Sequence, residues 1–190
     1  DFFVRELVLF KESLEKYTGE IISDEQIEKA IHLYNENRVL VMELYQLQKH
    51  PAPVFNGSEF FKLLLAGMII SPEEFNSLLK EVKQEAETRE NRQSASSPRI
   101  LLWGCIIDDA SLVELIEEVG GLVVTDDTCI GTRSYNKHVE TSGGLMEGLA
   151  KAYFEELGID YSEYDIEKSR QAYRDYRKLG GTGLPLIMVG

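Results

Sequence analysis

The sequence predicts an α/β protein in which a helical segment is followed by a doubly wound parallel-sheet domain. Three observations carry that expectation. Apolar residues recur at helical spacing through residues 1–92. A serine-rich break, Gln93-Ser94-Ala95-Ser96-Ser97-Pro98, then interrupts the pattern. Beyond it, short continuous apolar runs alternate with amphipathic stretches, as expected of parallel strands covered on both faces. The expected organisation is a helical region over 1–92, a linker over 93–98 and an α/β domain over 99–190.

The helices come first. Phe3, Leu7, Phe10, Leu14 and Tyr17 form one apolar stripe, and Gly19 is a stop signal. Ser23 and Gln26 have the spacing of a capping box. They open a long helix that carries Ile27, Ile31, Tyr34, Arg38, Val41, Leu44 and Tyr45 on one side. His50-Pro51-Ala52-Pro53 ends it, because proline cannot continue the backbone bonding. Asn56-Gly57-Ser58 starts a short apolar helix, expected over Glu59 to Ile69. Ser71-Pro72-Glu73-Glu74 starts another, with a capping hydroxyl, proline in the first turn and acids at the positive dipole end. That helix is expected to reach about Asn91, its last part in solvent.

After Pro98 the period changes. Ile100-Leu101-Leu102-Trp103 and Leu122-Val123-Val124 read as buried strands, with a helix from Ser111 to Val119 between them and Gly120-Gly121 closing it. Helices are expected over Leu145–Leu157 and Ile166–Leu179. A last strand is expected over Leu184–Val189, with Pro185 pointing to an edge or a strand start. This order implies right-handed crossovers in a parallel sheet.

Bulk properties narrow the function. A net charge of -13 repels a phosphate backbone, so general nucleic-acid binding is disfavoured, although a local basic pocket for an anion is not. No apolar stretch approaches the roughly 20 residues that a membrane span needs. The 2 cysteines, Cys105 and Cys129, lack C-x-x-C spacing and cannot build a secreted disulfide framework, so a reducing cytoplasm is the expected setting. The chain opens on Asp1 rather than Met, which favours a piece of a longer protein.

In open parallel sheets, ligands bind beyond the carboxyl ends of the strands. Two loops occupy that edge: Gly104-Cys105-Ile106-Ile107-Asp108-Asp109, and Thr125-Asp126-Asp127-Thr128-Cys129-Ile130-Gly131-Thr132-Arg133-Ser134-Tyr135. In the second, Gly131 permits a close backbone approach or a positive φ. Arg133 can grip a phosphate or carboxylate through two bonds. A Cys129 thiolate is a soft ligand for iron–sulfur chemistry or zinc. Plainer roles exist for each. A thiol just past a strand also packs as a small hydrophobe, and the same holds for Cys105. Asp126-Asp127 can cap a turn, and Arg133 and Tyr135 can be ordinary surface and packing residues. Of the histidines, His32 and His50 belong to the helical region and His138 follows the loop; bystander roles are favoured for all three. Hydrolase-elbow, dinucleotide, Walker and His-Glu-x-x-His motifs do not occur in the sequence.

The stretches Arg99-Ile-Leu-Leu-Trp-Gly, Ile107-Asp108-Asp109, Glu117-Glu118-Val119-Gly120-Gly121 and Val123 through Tyr135 resemble the carboxy-terminal α/β domain of 2-hydroxyacyl-CoA dehydratase subunits, a pattern shared with benzoyl-CoA reductase subunits. Leu14-Glu15-Lys16-Tyr17-Thr18-Gly19, Ile22-Ser23-Asp24-Glu25, Tyr34-Asn35-Glu36-Asn37-Arg38 and Gly57-Ser58-Glu59 resemble the segment before that domain. The resemblance implies a flavodoxin-like domain within an oxygen-sensitive enzyme, each subunit holding a 4Fe-4S cluster through three cysteines. It implies a homologous partner subunit and an ATP-hydrolysing activator that supplies an energetic electron. The substrate is an acyl-CoA, dehydrated to an enoyl-CoA in one branch and reduced as an aromatic thioester in the other. On this resemblance Cys129 is the metal ligand, with Asp126, Asp127, Gly131 and Arg133 around it. The other cluster cysteines are expected outside this chain, and Cys105 is not assigned as a ligand. The isolated chain is expected to be inactive. The competing reading is a non-catalytic, flavodoxin-like module for subunit docking or ligand binding.

Overall fold

The computed structural model describes residues 2–90 and 93–156, together with positions 171, 174, 177 and 178. It is a mixed α/β chain, mostly helical, with a small parallel sheet. In chain order its elements are α1 (Phe2–Thr18), α2 (Asp24–Gln48), α3 (Gly57–Ala66), α4 (Pro72–Thr88), β1 (Arg99–Trp103), α5 (Ser111–Glu118), β2 (Leu122–Asp127), α6 (Thr132–Tyr135) and α7 (Leu145–Glu156). The helix and strand expected over 166–179 and 184–189 lie outside the described residues. No described helix is long and apolar enough to cross a membrane.

The chain forms two compact units, one of residues 1–28 with 139–190 and one of 29–138. In the first, α1 meets α7 through Phe3, which stacks on Tyr153 at 5.0 Å and meets Phe154 edge-on at 5.2 Å. Gly19 follows α1 with a φ of 77°, and its N–H donates to the Glu15 carbonyl, so the expected stop operates through a left-handed residue. The Ser23–Gln26 box forms as well. The Ser23 amide donates to Gln26 Oε1, and the Gln26 amide to Ser23 Oγ.

The second unit carries the site. Its core runs without interruption across the serine-rich break, joining Val41, Leu44, Leu64, Phe75 and Leu79 to Leu102, Val113 and Val123. Two helix starts are built from local chemistry. Asn56 and Glu59 cap α3 reciprocally, as do Ser71 and Glu74 at α4, where proline occupies the first turn. The cap at Asn56 starts α3 at Gly57, earlier than the Glu59 expected. The helix closes at Ala66, and Met68 to Ile70 continue as turns rather than as helix.

α3 meets β2 at very close range. A Cβ on Gly57 would fall inside Val123, so only glycine allows this approach. The Glu117 carboxylate of α5 accepts the Gly57 and Ser58 amide N–H groups at the start of α3. A carboxylate there satisfies free helix donors and complements the dipole.

β1, α5 and β2 form one parallel βαβ unit. Arg99 pairs with Leu122 and Ile100 with Val123; after a bulge, Leu101 pairs with Thr125, Leu102 with Asp126 and Trp103 with Asp127. β2 is longer than the apolar run Leu122-Val123-Val124, because pairing with β1 carries the polar Thr125-Asp126-Asp127 into the strand. Among the described residues, β1 is covered on one face only. Leu102 is buried, whereas Leu101 is 59% and Trp103 74% exposed. A strand buries its second face only where another layer packs on it, and among the described residues the core lies on the Leu102 side.

Candidate functional site

The loop after β2 is organised around one carboxylate. Asp126 is 5% exposed and lies on the core side of the strand. Its Oδ1 accepts the Thr128 amide at 3.1 Å and the Thr128 hydroxyl at 2.8 Å. Its Oδ2 accepts the hydroxyl of Tyr45, which comes from α2 and is 3% exposed. The Asp126 carbonyl accepts the Thr132 hydroxyl at 2.6 Å. The chain turns here because the side chain of Asp126 has replaced the next strand partner. Burial, and then the negative Asp126 beside it, push the Tyr45 phenol far above its ordinary range, so it remains a proton donor.

Gly131 closes this turn. Its φ is -107°, so the expected need for positive φ does not arise. Its role is close approach: a Cβ there would occupy the position of the Asp126 carboxylate.

Asp127, one residue on, points the other way. Arg133 donates from Nε to Asp127 Oδ1 at 2.8 Å and from Nη2 to Oδ2 at 3.1 Å. The two-bond grip expected of Arg133 is therefore satisfied within the chain. The guanidinium holds the Asp127 carboxyl below the usual carboxylate range, with a further contribution from the Trp103 indole. Arg133 Nη1 also lies 3.9 Å from Cys129 Sγ. Ser134 Oγ donates to the Cys129 carbonyl at 2.6 Å, which fixes the backbone that carries the thiol.

Cys129 is exposed and stands just past the carboxyl end of β2. Its amide donates to the Cys105 carbonyl at 3.2 Å, so strand-like pairing continues into both loops. Cys105 is also exposed. In the first loop, Asp109 accepts the Ser111 amide at 2.7 Å, a local turn just ahead of α5. His138 is exposed, as are His32 and His50. Tyr135 is buried, as a packing role requires.

A cavity of about 170 Å³ opens nearby, lined by Met42, Tyr45, Lys49, Arg99, Val124 and Thr132 among others. It does not reach Cys129. Arg99 is engaged there by the carbonyls of Gln48, Lys49 and His50, where it neutralises the negative end of α2.

Residues 1–178 match the family described as 2-hydroxyglutaryl-CoA dehydratase, D-component. This chain belongs to that family. A benzoyl-CoA reductase subunit from Thauera aromatica is 31% identical over 172 residues, covering 87% of this chain and 43% of the relative. A putative dehydratase subunit, YjiM, from Escherichia coli (strain K12) is 28% identical over 155 residues, covering 78% of this chain and 40% of the relative. The (R)-phenyllactyl-CoA dehydratase beta subunit of Clostridium sporogenes is 25% identical over 162 residues, covering 85% and 42%. The chain thus spans less than half the length of these members of the dehydratase and reductase family. Two residues of this loop's hydrogen-bond network were not legible as such in the sequence: Tyr45 shows only as an apolar position of α2, and Thr128 only as a loop residue.

Proposed function

We propose that this chain is the cluster-bearing part of an iron–sulfur subunit in a radical enzyme acting on acyl-CoA thioesters. The enzyme is either a 2-hydroxyacyl-CoA dehydratase or a benzoyl-CoA reductase-type enzyme. The observation that carries the reading is the exposed Cys129 thiol at the rim of the parallel sheet, beside Arg133 and fixed through its own carbonyl. A thiolate is the soft ligand that iron–sulfur groups require. Among the described residues, no group of three His, Cys, Asp or Glu side chains converges, so further ligands come from outside them.

When bound, a 4Fe-4S cluster supplies one-electron chemistry. The residues of this chain hold and shield its ligand. Tyr45 and Thr128 fix Asp126, Asp126 fixes the turn, and Gly131 lets the turn close. Arg133 is held on Asp127, so its charge stays near the sulfur rather than swinging into solvent. Outer groups of this kind orient metal ligands and tune them. The working enzyme would pair this subunit with a homologous one, accept electrons from an ATP-dependent activator and operate in the cytoplasm.

The test is iron content. A family-length protein containing this chain, purified without oxygen, is expected to carry about one cluster per subunit. Cys129→Ser should strip most of that iron while leaving the fold intact. Full iron retention in the variant overturns the ligand assignment, and iron-free wild-type protein favours a non-catalytic docking module.

A further inference from the structure

We infer that Cys105 and Cys129 together form a two-thiolate half-site for a thiophilic metal centre. Three observations lead there. The register places Leu102 opposite Asp126 and Trp103 opposite Asp127, and the side chains of a strand alternate between faces. Leu102, Asp126 and Thr128 are buried, whereas Trp103, Cys105 and Cys129 are exposed. Each thiol stands two residues past one member of the Trp103–Asp127 pair, and both are exposed.

The second observation is the bond from the Cys129 amide to the Cys105 carbonyl at 3.2 Å. It keeps the two loops at strand separation, about 4.8 Å. Two thiolates on one tetrahedral metal, each bonded at about 2.3 Å, sit about 3.8 Å apart. Two exposed cysteines carried at that backbone separation can reach that spacing by ordinary rotamer choice.

The third is charge and setting. Arg133 supplies a fixed positive charge 3.9 Å from Cys129 Sγ. Both sulfurs are open to solvent, as a ligand with an entry path must be. Soft thiolates select iron–sulfur groups, zinc, cadmium and copper(I) over hard cations. Cys105 is thus the thiol that the family resemblance left unassigned, although its loop was expected at the same sheet edge as that of Cys129.

This half-site shares Cys129 with the iron–sulfur reading and deepens it, so the experiment separates the two. The reduced 190-residue chain is titrated with cadmium without oxygen, and the thiolate-to-metal absorption band is followed in the wild type, C105S and C129S. One cadmium per chain is expected, with either substitution removing much of the band and weakening binding by about 10-fold or more, no less than loss of an outer supporting group costs. A C105S titration identical to the wild type overturns the pair, whatever the iron content of the longer protein. A wild type that gives no thiolate band also overturns it. If cadmium needs both thiols but C129S leaves the iron of the family-length protein unchanged, the half-site stands and the iron–sulfur reading falls. Circular dichroism of each variant excludes misfolding, and C105A should repeat the result of C105S.

Discussion

The hydroxyl of Tyr45 donates to the carboxylate of Asp126, joining residues 81 positions apart in a buried hydrogen bond. One end belongs to the long helix α2 and the other to the rim of the sheet. The bond ties the loop that carries Cys129 to the helical part of the same core.

Tyr45→Phe keeps the ring against Phe60, at 4.6 Å and edge-on, and removes only the donor. A buried carboxylate then loses one of its hydrogen bonds, and stability is expected to fall by about 1–3 kcal/mol. Urea unfolding measures this. A variant as stable as the wild type would mean that Asp126 does not depend on the phenol.

How much of this could be read from the sequence depended on the range of the interaction. The caps at Ser23, Asn56 and Ser71 act within three residues, and their types and spacing announced where helices begin. The loop from Thr125 to Tyr135 stood out because its polar residues crowd one segment. What Gly131 and Arg133 do was only half visible. Glycine and arginine advertised a close approach and a two-bond grip, but the partners are Asp126 and Asp127 of the same loop. Tyr45 was beyond reach, since its role comes from α2 packing on the sheet, whereas the loops of Cys105 and Cys129 were both expected at one sheet edge. The exposure of Leu101 and Trp103 went unforeseen because an apolar run gives no sign of which layer will cover it.

The Asp127–Arg133 pair should contribute to acid stability with a definite sign. The folded Asp127 pKa is lowered, first by its bonds to Arg133. A lowered pKa stabilises the fold above the unfolded value of about 3.9 and loses that effect as pH falls through the folded value. Asp127→Asn is therefore expected to lower the urea midpoint near neutral pH and to converge with the wild type only as the pH falls through the folded Asp127 value. The pair is partly exposed, so added salt should shrink the difference. A gap that widens on acidification would contradict this account.

Glu117 tests how α3 is docked. Its carboxylate accepts two amides at the start of that helix, at Gly57 and Ser58. Glu117→Ala removes both acceptors and should cost about 1 kcal/mol, comparable to loss of a helix cap. Glu117→Gln keeps an acceptor oxygen but loses the charge that favours the helix dipole, so its cost should be smaller. Equal losses for the two variants would place the effect in packing rather than in hydrogen bonding.

Gly131→Ala is the sharpest probe of the rim. The new methyl would occupy the position of the Asp126 carboxylate, which Tyr45 and Thr128 hold in place. Overpacking of this kind costs about 1–3 kcal/mol. The Asp126 side chain must give way, and the Cys129 loop with it, so cadmium binding should weaken along with stability. Asp126→Ala in the same chain empties the contested space. The double variant should then lose less stability than the sum of the two singles, a coupling that urea unfolding of all four proteins measures. Additive losses would show that Gly131 and Asp126 do not compete for one position, and the rim would need a different explanation for its glycine.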